Sequence, residues 1–109
     1  MEKDLCISQV PRVKATEVSL CDESWVIQIT KITKALSDPI RVQMLHLLSR
    51  HKDLCTCEFE EILGLSQSKV SYHLKQLLDV DLIGRDIHGS WSHYRLIKPD
   101  ILNALQSLV

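Results

Sequence analysis

The sequence predicts a mainly α chain with one small β-hairpin near its C-terminal end. Three observations carry this. Apolar residues recur at helical spacing in five segments. Helix punctuation separates them: Asp22 or Ser24, Ser37-Asp38-Pro39 and Ser66 are starts, and Gly64 is a stop. Two β-rich runs, Leu82–Ile87 and Trp91–Leu96, flank the turn residues His88-Gly89-Ser90. The predicted order is helix, helix, short helix, capped helix, hairpin, helix.

Residues 1–22 read as an N-terminal arm and residues 23–109 as one folded domain. Pro11 and β-branched residues give the arm extended character without a clear period, and it carries Cys6 and Cys21. By itself such an arm is a frayed terminus with two incidental cysteines; it orders only when something ties it down. The first helix spans about Glu23 to Ala35, with Trp25, Ile29, Ile32 and Leu36 on one stripe, widened by Val26 and Ile27. That is a large apolar surface for a first helix, and a partner chain can cover part of it. In the second helix, Pro39 at the first position follows a capping residue, and Ile40, Met44, Leu47 and Leu48 form the expected buried stripe out to about His51. His46 falls off that stripe, on the surface.

The third helix is expected over Leu54–Leu63, with Cys55 and Cys57 at its start. Phe59, Ile62 and Leu63 are expected to face inward, and Glu58, Glu60 and Glu61 to face water. Gly64 ends it. Ser66 caps the fourth helix, running to about Val80 with Val70, Leu74, Leu77 and Leu78 on its core side. Its opposite stripe carries Ser68, Tyr72 and Lys75, with Ser71 beside them. Small hydroxyls permit close approach, and Lys and Tyr can donate to phosphates or base edges; a merely solvated face has the same composition. Arg85, His88, Ser90 and Arg95 decorate the hairpin. Pro99 opens a last helix, Asp100–Val109, whose apolar Ile101, Leu102, Leu105 and Leu108 suit an interface between chains.

Bulk composition restricts the function classes. The formal net charge is −1, which argues against a generally basic, nucleic-acid-coating protein. Residues 66–98 nevertheless hold five Lys/Arg against three Asp, a small local excess that permits nucleic-acid binding. No stretch is long enough to span a membrane, and the N-terminus has no apolar signal core, so a cytoplasmic protein is expected. There the cysteines are expected as thiols or metal ligands rather than structural disulfides. No Cys-x-x-Cys, no βαβ pattern and no positioned base support an enzyme.

Four stretches carry a family resemblance: Ala35-Leu36-Ser37-Asp38-Pro39-Ile40-Arg41, Leu54-Cys55-Thr56-Cys57-Glu58, Leu65 through Lys75 (LSQSKVSYHLK), and Gly89 through Leu96 (GSWSHYRL). Over roughly residues 24–98 the chain resembles the ArsR/SmtB family of metal-responsive bacterial repressors. The resemblance implies a winged helix-turn-helix and a homodimer joined through its first and last helices. It makes Ser66–Leu78 the recognition helix and the hairpin the wing. The DNA-binding residues it then implies are Gln67, Ser68, Lys69, Ser71, Tyr72, His73 and Lys75, with Arg85, His88, Ser90 and Arg95 on the wing. His73 is expected on the recognition helix or the core edge, not as a metal ligand. The partner is operator DNA, an inverted repeat with half-sites about one helical turn or a multiple apart.

The metal reading centres on Cys55 and Cys57. Residues i and i+2 of an ideal helix lie about 200° apart, so the pair lies ahead of the helix proper or its capture of an ion unwinds the first turn. A helix N-terminus is expected to lower a thiol pKa and favour capture. Two thiolates alone are too few for a stable site. In the family's arsenic sensors a third cysteine follows three residues after the second; here Glu60 holds that place. The missing ligand is sought in the arm, from Cys6 or Cys21 of either protomer. Three thiolates match As(III) or Sb(III); four match Cd(II) or Zn(II), with Pb(II) as a three-thiolate variant. As(III)/Sb(III) is the first reading and Cd(II)/Pb(II)/Zn(II) the alternative. The family's second metal site, on the last helix, is expected to be absent, because only Asp100 is available there. A thiol redox regulator is a further alternative, and a winged-helix protein-binding module is another.

Overall fold

The computed structural model describes residues 12–109; Cys6 lies outside them. After a 3-10 turn at Ala15–Glu17 come α1 (Glu23–Leu36), α2 (Pro39–Arg50), β1 (Leu54–Cys55), α3 (Thr56–Leu63), α4 (Gln67–Leu78), β2 (Ile83–His88), β3 (Trp91–Leu96) and α5 (Asp100–Gln106). The expected order of helices and hairpin is present, with one strand added.

The helix starts follow the capping chemistry of the sequence. Asp22 accepts from the backbone N–H of Ser24 at 2.8 Å and of Trp25 at 3.4 Å. Asp38 does the same for Ile40 and Arg41, with Pro39 in the first turn. Ser66 Oγ accepts from Lys69 N–H at 3.3 Å. Gly64 ends α3 at φ +66°, and the N–H groups of Gly64 and Leu65 both reach the Glu60 carbonyl. Such a backbone favours glycine because a Cβ clashes there.

α2, α3 and α4 pack with the sheet around one core. Met44, Leu45, Phe59, Val70, Leu74, Leu77, Leu82 and Ile83 are its fully buried side chains. Leu45 was not on the expected stripe of α2, and Ile40 and Leu47 are only partly buried against the core. Ile62 is a correction: it is exposed, while Phe59 is fully buried and Leu63 packs at the core edge as expected. On α1 only Ala35 is buried; Ile32 and Leu36 pack at the core edge, while Trp25, Val26, Ile27 and Ile29 are exposed. α5 ends at Gln106, three residues before the expected limit of Val109.

The sheet has the order β1-β3-β2, all antiparallel. β2 and β3 are the expected hairpin, in register from Ile83↔Leu96 to His88↔Trp91. Gly89 and Ser90 form a two-residue turn, with Gly89 at φ +64°. The third strand is the unexpected one. Leu54 and Cys55, expected as the first residues of a helix, instead pair with Tyr94 and His93 of β3. Both Leu54 and Cys55 are buried there, and the helix starts only at Thr56.

Candidate thiol site and nucleic-acid interface

This strand decides the geometry of the cysteine pair. Cys55 has extended backbone, φ −89° and ψ 166°, and is the residue before α3; Cys57 is inside its first turn. The i, i+2 divergence of an intact helix therefore does not apply. The two sulfurs lie 2.7 Å apart without any unwinding. Glu58 holds the arrangement: its Oε1 accepts from the Cys55 N–H at 2.9 Å, satisfying one of the free donors at the helix start. Cys55 is 7% exposed, whereas Cys57 is exposed.

The expected effect of the helix N-terminus on the thiol is reversed at Cys55. Burial pushes this thiol up from its ordinary value, and the neighbouring Cys57 thiol and Glu58 carboxylate add to the rise, against the Glu58 backbone. Desolvation of the thiolate outweighs the oriented backbone dipoles.

A cleft of about 290 Å³ opens beside the pair. Thr56, Glu60 and Gln67 line one side, and Ser90, Trp91 and Ser92 of the wing tip line the other. Glu60, at the place of a third thiol, thus faces the same space as both cysteines. Cys21 is exposed, and among the described residues no cluster of three or more His, Cys, Asp or Glu is arranged to hold an ion.

On α4, Gln67, Ser68, Lys69, Ser71, Tyr72 and Lys75 are exposed on one continuous surface. Lys75 Nζ pairs with Asp79 at 3.1 Å, one turn on. Ser71 and Lys75 line a groove with Arg85 of β2. His73, expected on the recognition helix or the core edge, is on the core side of α4 at 8% exposed. Its Nδ1 lies 3.1 Å from Arg41 Nη1, and Arg41 Nε donates to the Ala35 carbonyl at 2.7 Å. Since guanidinium only donates, Nδ1 is the acceptor, and His73 ties α4 to the start of α2. On the wing, Arg85, His88, Ser90 and Arg95 are all exposed. Arg95 Nε donates to Asp86 Oδ2 at 2.9 Å across the hairpin.

A family model described as "Bacterial regulatory protein, arsR family" matches residues 38–84. An arsenical resistance operon repressor of Staphylococcus aureus is 33% identical over 81 residues, 74% of this chain and 77% of that protein. The chain belongs to the ArsR family. The arsenical resistance operon repressor of Bacillus subtilis is 44% identical over 63 residues, 58% of this chain and 60% of its own length. A cadmium resistance regulatory protein CadC homolog of S. aureus is 29% identical over 100 residues, 88% of this chain and 81% of that one. The chain spans 51–65% of the length of the arsenic-repressor relatives it matches at 38% identity or more. Among solved structures, a homodimeric winged helix-turn-helix DNA-binding domain of Mycobacterium bovis superposes with a TM-score of 0.69 at 24% identity, over 78% of this chain and 80% of that one. The fold is accordingly a winged helix-turn-helix, with α3 and α4 as its helix-turn-helix and β2–β3 as the wing.

Two features of this ArsR-family site escaped the sequence reading. The Arg41–His73 link needs the packing of α2 on α4, which no local pattern encodes. The Asp53–His93 pair, Oδ1 to Nδ1 at 2.9 Å, needs β1 to be recognised as a strand. Two residues are too few for a period, so nothing in the sequence could have found it.

Proposed function

We propose that this protein is a metal(loid)-responsive transcriptional repressor. As a homodimer it binds double-stranded operator DNA, an inverted repeat, and it leaves that DNA when a thiophilic ion binds its cysteine thiolates. The observation that carries the reading is the contact between the Cys55 and Cys57 sulfurs, 2.7 Å apart, directly ahead of the helix-turn-helix. Only Gly64, Leu65 and the cap Ser66 separate α3 from α4, so a change at the start of α3 is close to the DNA-facing helix. The arsenical and cadmium resistance relatives support both the regulatory role and a metal(loid) inducer.

As(III) or Sb(III) is the inducer this chemistry favours. Each As–S bond forms as a thiol proton and an arsenite hydroxyl leave together as water, so arsenite capture needs no free thiolate at equilibrium. Cys55 and Cys57 supply two bonds. Cys6 or Cys21 from the arm, residues 1–22 of either protomer, supplies further thiols, and residues 23–109 form the DNA-binding and dimerisation body. With both arm cysteines, the set suits Cd(II) or Zn(II) instead, and Pb(II) is a three-thiolate variant. On the DNA side, Gln67, Ser68, Lys69, Ser71, Tyr72 and Lys75 enter the major groove, and Arg85, His88, Ser90 and Arg95 follow the backbone from the wing. The exposed apolar face of α1 and the apolar residues of α5 form the dimer interface. The protein works in the cytoplasm and is not an enzyme.

The sulfur contact also favours a second reading, a thiol redox regulator in which oxidation of the pair replaces metal capture. One comparison separates them. Cys55→Ser and Cys57→Ser should bind operator like the parent but stay bound at arsenite concentrations that release the parent, as read by fluorescence anisotropy under reducing conditions. Release by peroxide but not by arsenite or cadmium would establish the redox reading and end the metal one.

A further inference from the structure

The proposed function leaves open which DNA-contacting element the thiols act on. The short turn to α4 offers one route, and the sheet offers another. We infer that the wing is under direct control of the thiol pair, because Cys55 is an edge residue of the wing's own sheet and the wing tip walls the cleft into which both thiols face. The inference rests on the repressor reading and deepens it.

Three observations converge. Cys55 pairs with His93, and Leu54 with Tyr94, so the backbone that carries one thiol is laddered directly to β3. The Asp53 carboxylate holds His93 Nδ1 at 2.9 Å, clamping the residue two before Cys55 to the strand beside it. Just before His93, Ser90 of the turn and Trp91 and Ser92 at the start of β3 line the same cleft of about 290 Å³ as Cys55, Cys57 and Glu60. A captured arsenic needs room beside the two sulfurs for its third ligand, the arm thiol, and this cleft is the open space next to them. Filling it brings that ligand against Trp91. Movement of Cys55 is passed to β3 through the ladder.

The wing also carries residues placed on DNA. Arg95 is on β3, and Arg85 and His88 are on β2, its hairpin partner. Displacing β3 at one edge therefore shifts the DNA contacts of the wing without any change in α4. Gln67, at the start of α4, lines the cleft as well. The ligand and the operator accordingly compete for one region of surface. In this arrangement Asp53 is a positioning residue: it touches neither DNA nor ligand, and it keeps β1 and β3 moving as one body.

The test uses the full-length protein and arsenite as the probe. In Trp25→Phe, Trp91 is the remaining tryptophan, and its emission should change as arsenite consumes the thiols, with no change once Cys55→Ser is added. Asp53→Ala should keep the parent's operator affinity without arsenite and its arsenite stoichiometry. Its operator should nevertheless be released less effectively, with the ratio of operator affinities without and with arsenite falling about tenfold. Asp53→Asn, which can still bond the imidazole, should restore most of that ratio. Thiols consumed with unchanged Trp91 emission would overturn the inference, as would an Asp53→Ala ratio equal to the parent's. If Asp53→Ala does not fold, the Trp91 emission decides alone. If neither arsenite nor cadmium consumes the thiols, the repressor reading itself fails, and the inference with it.

Discussion

α1 and α4 are built on the same sequence principle and meet opposite fates. Each has a capping residue, a helical apolar stripe and a polar remainder. On α4 the stripe is covered: Val70, Leu74 and Leu77 have no exposed surface, and Leu78 packs at the core edge. On α1, Trp25 is 55% and Ile29 40% exposed, beside exposed Val26 and Ile27. A stripe thus specifies that a surface wants covering; it does not specify which chain covers it. Exposed apolar area of this kind marks an interaction surface, and in the proposed homodimer a second copy of α1 covers it. The contrast can be broken with one substitution in each helix. Leu74→Ala should cost about 2–5 kcal/mol of stability, through lost burial and the cavity left behind. That loss should be the same at all protein concentrations. Ile29→Asp should leave the monomer fold intact and weaken dimerisation by about 2 kcal/mol, roughly thirtyfold. Its thermal midpoint should then depend on concentration. Sedimentation and thermal melts across a concentration series read both; an Ile29→Asp protein as dimeric as the parent would refute the assignment of the α1 face.

Burial separates the two thiols as it separates the two helices, and the consequence appears in pH dependence. The Cys55 thiol is pushed up, first by burial, so it carries its proton through neutral pH. A divalent ion must displace that proton to form a metal–sulfur bond. Cadmium affinity should therefore rise with pH, by about tenfold per pH unit for each thiol proton displaced, until the raised Cys55 value is passed. Arsenite is different, because the thiol proton leaves as water and no net proton is released. Its affinity should stay flat over the same range. Titrations with each ion between about pH 6 and about pH 8 make the comparison. A flat cadmium response would mean that Cys55 is not among the ligands.

The parts legible in the sequence were those written in local chemistry. Asp22, Asp38 and Ser66 cap their helices through short side-chain bonds that depend on a few neighbouring residues. Gly64 and Gly89 mark turns because each sits at positive φ. The hairpin was legible, but its turn is one residue shorter than expected: His88, expected in the turn, pairs with Trp91 as the last residue of β2. What was not legible depends on residues distant in the chain. Cys55 is a strand residue only because β3, almost forty positions later, lies alongside it, and that pairing turned a divergent i, i+2 pair into two touching sulfurs. His73 belongs to the motif that suggested a DNA-facing helix, yet it turns inward because Arg41, on α2, offers it a donor. The outer face of α4 was identified by what packing does not require, and its residues are indeed those left exposed.

That outer face supplies the mildest way to sharpen the comparison of the two helices. If α4 is stabilised by its inner stripe and kept for DNA by its outer one, the two properties should separate on a single helix. Lys75 is exposed, and its pair with Asp79 at 3.1 Å lies on the surface, where such pairs add little to stability. Lys75→Ala should therefore melt within about 0.5 kcal/mol of the parent. Operator affinity should fall by about 1 kcal/mol, near fivefold, because one charged donor to the DNA is lost. The salt dependence of binding should drop by about one phosphate contact, while arsenite stoichiometry stays unchanged. The salt slope is the informative readout. A Lys75 that met only Asp79 would leave it untouched, whereas a Lys75 that reaches the DNA backbone must release its share of counterions when it binds.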